Sequence, residues 1–172
     1  IMFFNPFPTI SYDPTGSGYT NTIKDITTRV KVRQWVRNKA ALFAKFNVED
    51  AMTPEMVAFY LYDNAELHWV VLMFNEITNS YYGWPLSRRD FDAFVNDKYE
   101  NPLATHHYEI TQSSGDQSIK INVMSTVAGA IAVTNLDYEA AIQDKKKQIR
   151  VLKPEYLNQF VREFQNLVRK KV

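Results

Sequence analysis

Residues 65–75, AELHWVVLMFN, carry Leu67, Trp69, Val70, Val71, Leu72, Met73 and Phe74, so that a helix over them has almost no polar side. A helix that is apolar all round is a buried helix. The rest of the chain must therefore pack around this one, and no other feature constrains the architecture as much. Its flanks say where it begins and ends: Asp63-Asn64 before it and Thr78-Asn79-Ser80 after it are polar turn chemistry. Upstream, Thr53-Pro54-Glu55 combines a hydroxyl cap, a proline at the first position and an acid in the first turn. That helix runs to about Tyr62, with Met56, Val57, Tyr60 and Leu61 expected on its buried face. Downstream, Tyr81-Tyr82-Gly83-Trp84-Pro85 reads as a tight aromatic turn. Gly83 would supply a backbone conformation that side-chained residues resist, and Pro85 stiffens the exit. Ser87-Arg88-Arg89-Asp90 resembles a capping box with Asp in place of Glu. It opens a helix to about Tyr99 whose inner face would be Phe91, Phe94, Val95 and the stem of Lys98.

Residues 1–24 read as an extended N-terminal arm. Pro6, Pro8 and Pro14 restrict the backbone while Gly16 and Gly18 loosen it, which argues against a regular element. Met2, Phe3, Phe4, Phe7, Ile10 and Tyr12 are too apolar for a disordered tail, so the arm is expected to dock, on its own domain or on a neighbour. Between Thr22 and Phe46 the signal is mixed. Val30-Lys31-Val32 alternates like a strand, and periodicity does not decide between helix and strand for residues 38–46. The basic residues there read as a solvated face rather than a nucleic-acid surface.

The second half is β-rich. His107 to Thr111 and Ile119 to Met124 alternate as strands around Ser113-Ser114-Gly115-Asp116, a hairpin pattern. Ala128 to Val133 fits a short strand or a packed loop, Asp137 to Asp144 tends to helix, and Gln148 to Leu152 is a further strand candidate. Pro154 then opens an amphipathic C-terminal helix with Leu157, Phe160, Val161, Phe164, Leu167 and Val168 as its stripe. Arg169, Lys170 and Lys171 suit the negative end of its dipole.

Composition narrows the function. Twenty basic residues against nineteen acidic leave a net charge of +1, too weak a field to draw nucleic acid or anionic lipid. Aromatics make up 14% of the chain, an excess that fits a tight core or a protein-binding surface. The absence of cysteine excludes disulfides and thiolate metal sites. No apolar run approaches a membrane span, and IMFFNPFP lacks the basic region of a signal peptide, so the chain is expected to be soluble and not exported.

Catalytic chemistry finds little support. His106, His107 and Glu109 are close in sequence, yet neighbouring strand residues point to opposite faces, so the two histidines are not expected to converge on a metal. His68 beside Trp69 reads as a core or interface histidine. There is no GxSxG, HExxH, P-loop or GxGxxG pattern. The carboxylate pairs Glu49-Asp50 and Asp90-Asp92 read as caps, and Lys145-Lys146-Lys147 as a solvated loop. The expectation is no enzyme, no cofactor and no metal.

The segment 53–87, TPEMVAFYLYDNAELHWVVLMFNEITNSYYGWPLS, resembles the LysM-like unit of contractile-tail phage baseplate proteins. The matching residues are Tyr62-Asp63-Asn64, the run from Leu67 to Met73, Asn75, and Tyr81-Tyr82-Gly83-Trp84. DYEAAIQDKKKQIRVLKPEYLNQFVREF, residues 137–164, is similar to the end of the small baseplate wedge protein of T-even-type phages, and FFNPFPTI has the same character. The resemblance implies an α+β fold: a LysM-like helical pair, a small antiparallel β region, an extended arm and a closing amphipathic helix. The expected division is 1–24 for the arm, 25–100 for the LysM-like unit, and 101–172 for the β-hairpin region and C-terminal helix. It also implies a structural virion protein of the tail baseplate, assembled in the host cytoplasm, that clamps wedge subunits together around the central hub. Its partners would be other wedge proteins, a sheath-initiator-like subunit and a large wedge-core subunit, and neighbouring wedges, in a hetero-oligomer without nucleic acid or membrane. The alternative is a LysM-type peptidoglycan- or glycan-binding module. Interface candidates are Phe3, Phe4, Phe7, Ile10, Tyr12, Tyr81, Tyr82 and Trp84.

Overall fold

The structure is a computed structural model and describes residues 3–27, 30–116 and 118–169. Met2, Lys170 and Lys171, to which the sequence reading assigns roles, lie outside the described residues. In chain order the elements are β1 (Thr9–Tyr12), β2 (Asn21–Lys24), α1 (Gln34–Arg37), β3 (Phe43–Asn47), α2 (Pro54–Tyr62), α3 (His68–Phe74), α4 (Ser80–Gly83), α5 (Arg88–Lys98), β4 (Thr105–Thr111), β5 (Lys120–Val123), β6 (Ile131–Thr134), α6 (Asn135–Lys147), β7 (Gln148–Leu152) and α7 (Pro154–Arg169). Single 3-10 turns at Ala40–Leu42 and Ala65–Leu67 precede β3 and α3. The fold is mixed, with helices and small sheets. It divides into two compact units, one of Ile1–Val48, Met52–Trp84 and Ile149–Val172, the other of Glu49–Ala51 and Pro85–Gln148.

The first unit is built around α3, as its composition requires. Leu67, Trp69, Val70 and Phe74 face a cluster with Phe7, Val32, Leu152 and the α7 residues Leu157, Val161, Phe164 and Val168. Val71 faces a second cluster with Val48, Val57, Ala58, Trp84, Ile149 and Val151. Each fully buried side chain of this size contributes about 1.5–3 kcal/mol relative to exposure. β3 and β7 pair as a two-stranded sheet. The side-chain amide of Asn75 extends that pairing: its Nδ2 donates to Arg150 O at 2.8 Å and its Oδ1 accepts from Arg150 N at 3.0 Å.

Several expectations are corrected in this unit. The arm is not irregular: β1 and β2 pair antiparallel from Thr9↔Lys24 to Tyr12↔Asn21, and the prolines fall outside both strands. Residues 30–33 are not a strand, and Val32 serves instead as a core side chain, 7% exposed. On α2 the buried positions are Pro54, Val57 and Ala58, whereas Met56 and Tyr60 point outward. Spacings of three and four residues from Pro54 select that face, one step round the helix from the expected one. On α7 Leu167 is 65% exposed and lies outside the stripe.

The second unit holds a three-stranded antiparallel sheet of order β5-β4-β6, with Tyr108↔Val123 and Ile110↔Ile121 on one side and Tyr108↔Ala132 on the other. The hairpin of β4 and β5 is the one the alternation anticipates. α5 starts at Ser87, whose hydroxyl accepts from Asp90 N at 3.2 Å. α6 starts at a full capping box between Thr134 and Asp137. Val95 of α5 is buried, Phe94 is 37% exposed, and Lys98 is half exposed while its Nζ reaches the buried Glu139 of α6. Val95, Glu139 and Gln143 are the fully buried side chains among the described residues of this unit.

Candidate functional site

The arm divides the interface candidates into two groups. Phe7 is 2% exposed, and Phe3 stacks against it, Trp69 and Phe164 with ring centroids 5.1, 5.5 and 5.4 Å apart. These aromatics fasten the arm to the chain's own core. Phe7 is therefore corrected from surface to core, since a side chain so enclosed has almost no area left for a partner. Phe4 rests on Phe3 at 4.9 Å but stays 48% exposed.

Beyond Phe7 the β1–β2 hairpin is different: all eight strand residues are exposed. Its turn is held by Asp13, whose carboxylate accepts from Thr15 N, Gly16 N and Gly18 N at 3.0, 2.8 and 2.7 Å. The Gly18 bond leads in holding that carboxyl below its ordinary range. Gly16 and Gly18 have φ of 67° and 86°, conformations that favour glycine. At the open end Lys24 Nζ donates to Asn5 O and Phe7 O at 3.0 and 2.9 Å. The register puts Ile10 opposite Ile23, and Tyr12 lies two residues on, so the three share one face. They are 39%, 39% and 52% exposed.

The aromatic turn also divides. Trp84 is 6% exposed, packs in the second core cluster and donates Nε1–H to Met52 O at 2.8 Å. It is core, which corrects its reading as contact surface. Tyr81 and Tyr82 stand out at 84% and 79% exposed. They project because residues 80–83 form one helical turn, capped by Asn79 Oδ1 on Tyr81 N at 2.9 Å. Gly83 has no left-handed backbone. It is required by close approach, since a Cβ there would lie 2.7 Å from Ile77 Cγ2.

The histidine argument is corrected as well. The Nδ1 atoms of His106 and His107 are 2.9 Å apart, one ring donating and the other accepting. His106 also stacks on Tyr138 at 4.0 Å. A register irregularity between Thr105 and His107 breaks the alternation, so neighbouring residues converge. Glu109 Oε2 lies 3.9 Å from His107 Nε2, on the far side of that ring from Nδ1. Among the described residues no three His, Cys, Asp or Glu side chains are placed to hold a metal, and no helix is long and apolar enough to cross a membrane. His68 Nδ1 lies 3.1 Å from Ala65 O, within its own helical turn.

The sequence reading missed three features. Ile23 completes the hairpin face, but only strand pairing reveals it. Glu139 is 3% exposed, and its Oε1 accepts from Lys98 Nζ at 2.7 Å and from Tyr99 OH at 2.8 Å. Burial pushes its carboxyl up, but the bonds from Lys98 and Tyr99 and the charges of Lys98 and Lys146 outweigh it and hold the group below 4.5. Tyr62 reaches β7, donating its hydroxyl to Leu152 O at 2.8 Å, and burial pushes that hydroxyl up to about 12.

The site is thus a set of exposed apolar surfaces on a packed framework, which is the chemistry of assembly. The family model described as base plate wedge protein 53 matches residues 2–111. The chain is also similar to the baseplate wedge protein gp53 of Enterobacteria phage T4, 24% identical over 144 residues, covering 73% of each chain. Since the family match spans more than half of its length, this chain belongs to the base plate wedge protein 53 family, whose place is the tail baseplate of the phage virion.

Proposed function

We propose that this protein is a structural wedge component that clamps neighbouring wedge subunits together around the central hub, without catalysis. The observation that carries this reading is the β1–β2 hairpin with its exposed face of Ile10, Tyr12 and Ile23. An isolated two-stranded ribbon is marginal in water, and one with an apolar face gains most by being covered. Tyr81 and Tyr82 add a second exposed aromatic surface in the same unit. Aromatic anchors of this kind carry much of the energy at protein interfaces. The partners in this reading are a sheath-initiator-like subunit, a large wedge-core subunit and the adjacent wedge. The finer fold assignment, a LysM-like unit, is supported by the pairing of β3, which precedes α2 and α3, with β7, which follows them after α4 and the second unit's α5, β4, β5, β6 and α6.

The test is wedge reconstitution with the purified subunits of the same phage. Replacing Ile10 and Tyr12 by Ser should leave the melting temperature of the isolated chain nearly unchanged and sharply reduce its incorporation into wedges. Normal incorporation of that variant would remove the hairpin from the interface. Saturable binding of chitin oligomers to the wild-type chain would instead favour a glycan-binding module.

A further inference from the structure

Two of the α2 residues expected in the core, Met56 and Tyr60, look outward beside Phe59. Met56, Phe59 and Tyr60 are 53%, 59% and 72% exposed. Together with Met52 they line an open cleft of about 670 Å³, and Glu55 and Asp63 stand on its rim. Their positions follow from the local fold. Thr53 caps the helix through its hydroxyl on Met56 N at 3.3 Å, which puts Glu55 in the first turn. Asp63 is the C-cap, in a left-handed conformation with φ 53°. Eight residues at a rise of about 1.5 Å each separate the two carboxylates by roughly 12 Å along the axis. Among the described residues neither of them lies within ion-pairing distance of a cation.

An apolar floor flanked by two carboxylates that have no ion-pair partner among the described residues has one natural complement. It is an amphipathic segment with apolar side chains at helical spacing and lysine or arginine flanking them. Methionine suits such a floor because its flexible, polarisable side chain adapts to the residue laid against it. A neutral or acidic segment would leave both rim charges without partners at closure.

We propose that this cleft receives an apolar, lysine- or arginine-bearing segment of another baseplate subunit; the proposal rests on the wedge reading above and adds the chemistry of one partner. The experiment uses the full chain against an array of overlapping peptides tiling the other baseplate subunits of the same phage. Captured peptides should be apolar with net positive charge. The double variant Glu55→Gln/Asp63→Asn keeps the helix and the left-handed cap, and it should bind them about tenfold more weakly and with a flatter salt dependence. Met56→Ala should weaken capture by a similar factor. Capture of neutral or acidic peptides, capture unaffected by both variants, or no capture at all would overturn the proposal, as would displacement of bound peptides by chitin oligomers. The same variants are carried into wedge reconstitution. If the wild-type chain and both variants enter wedges equally well, the cleft assignment falls and the wedge reading stands. If the wild-type chain fails to enter, the wedge reading falls and this inference falls with it.

Discussion

The indole of Trp84 fills space in the second core cluster and satisfies the carbonyl of Met52, so two separate losses follow from its removal. Trp84→Ala should cost about 3–5 kcal/mol in urea unfolding, while Trp84→Phe keeps most of the volume and should cost less. Tyr81→Ala, at an 84% exposed position, should change stability by less than about 0.5 kcal/mol. If Trp84→Ala proved as mild as Tyr81→Ala, the division of the aromatic turn into core and surface would be wrong. Tyr62 makes a different kind of prediction. Its hydroxyl is raised from 10.0 to about 12, so the neutral form is favoured by folding. The corresponding stability is fully present below pH 10 and is lost as pH rises toward 12. The melting temperature should therefore fall across that window, and fall less in Tyr62→Phe, which has no proton to lose.

At the scale of elements, α5 and α6 are tied by a polar contact where most helix pairs use apolar ones. Glu139 on α6 is buried, and Lys98 and Tyr99 at the end of α5 both donate to it. Removing the carboxylate leaves Lys98, which is half exposed, free to turn to water, so Glu139→Ala should cost about 2 kcal/mol rather than the larger figure for a fully enclosed pair. The pH dependence has the opposite sign to that of Tyr62. The folded carboxyl is held below 4.5, so the contribution is present above that value and is lost as pH falls through the lower folded value. Thermal unfolding followed from pH 6 down to pH 3 should show this loss in the wild-type chain and much less of it in Glu139→Gln. Equal acid sensitivity in the two proteins would mean that another carboxylate governs the transition.

At the scale of the molecule, the two units differ in how they are held. The first carries two apolar clusters, both of which include side chains of α3. The second, among its described residues, fully buries Val95, Glu139 and Gln143, and leaves Ile119, Ile121 and Ile131 at 47%, 44% and 56% exposed. Opening free energy follows buried apolar contact. In native-state hydrogen exchange, amides of β4, β5 and β6 should therefore exchange through openings of lower free energy than amides of α3 and α7. Uniform protection across both units would contradict that expectation.

Much of the chain could be read before any coordinates. The buried helix, the cap at Thr53, the strand from Gln148 to Leu152 and the last helix from Pro154 are local matters of composition, periodicity and capping, and the structure places them where those rules do. The resemblance in residues 53–87 and 137–164 pointed to the wedge family that the chain belongs to. What needed tertiary structure were questions of partner choice. The face of α2 that turns inward depends on what β3, α3 and β7 present to it. The convergence of His106 and His107 depends on an irregularity of strand pairing. Phe7 and Trp84 were legible as large aromatics, but whether such a ring is core or contact surface depends on what else competes to cover it. Sequence by itself determines which side chains must leave water; only the assembled chain decides which of them its own atoms can cover, and which, like Ile10, Tyr12 and Tyr81, it leaves exposed.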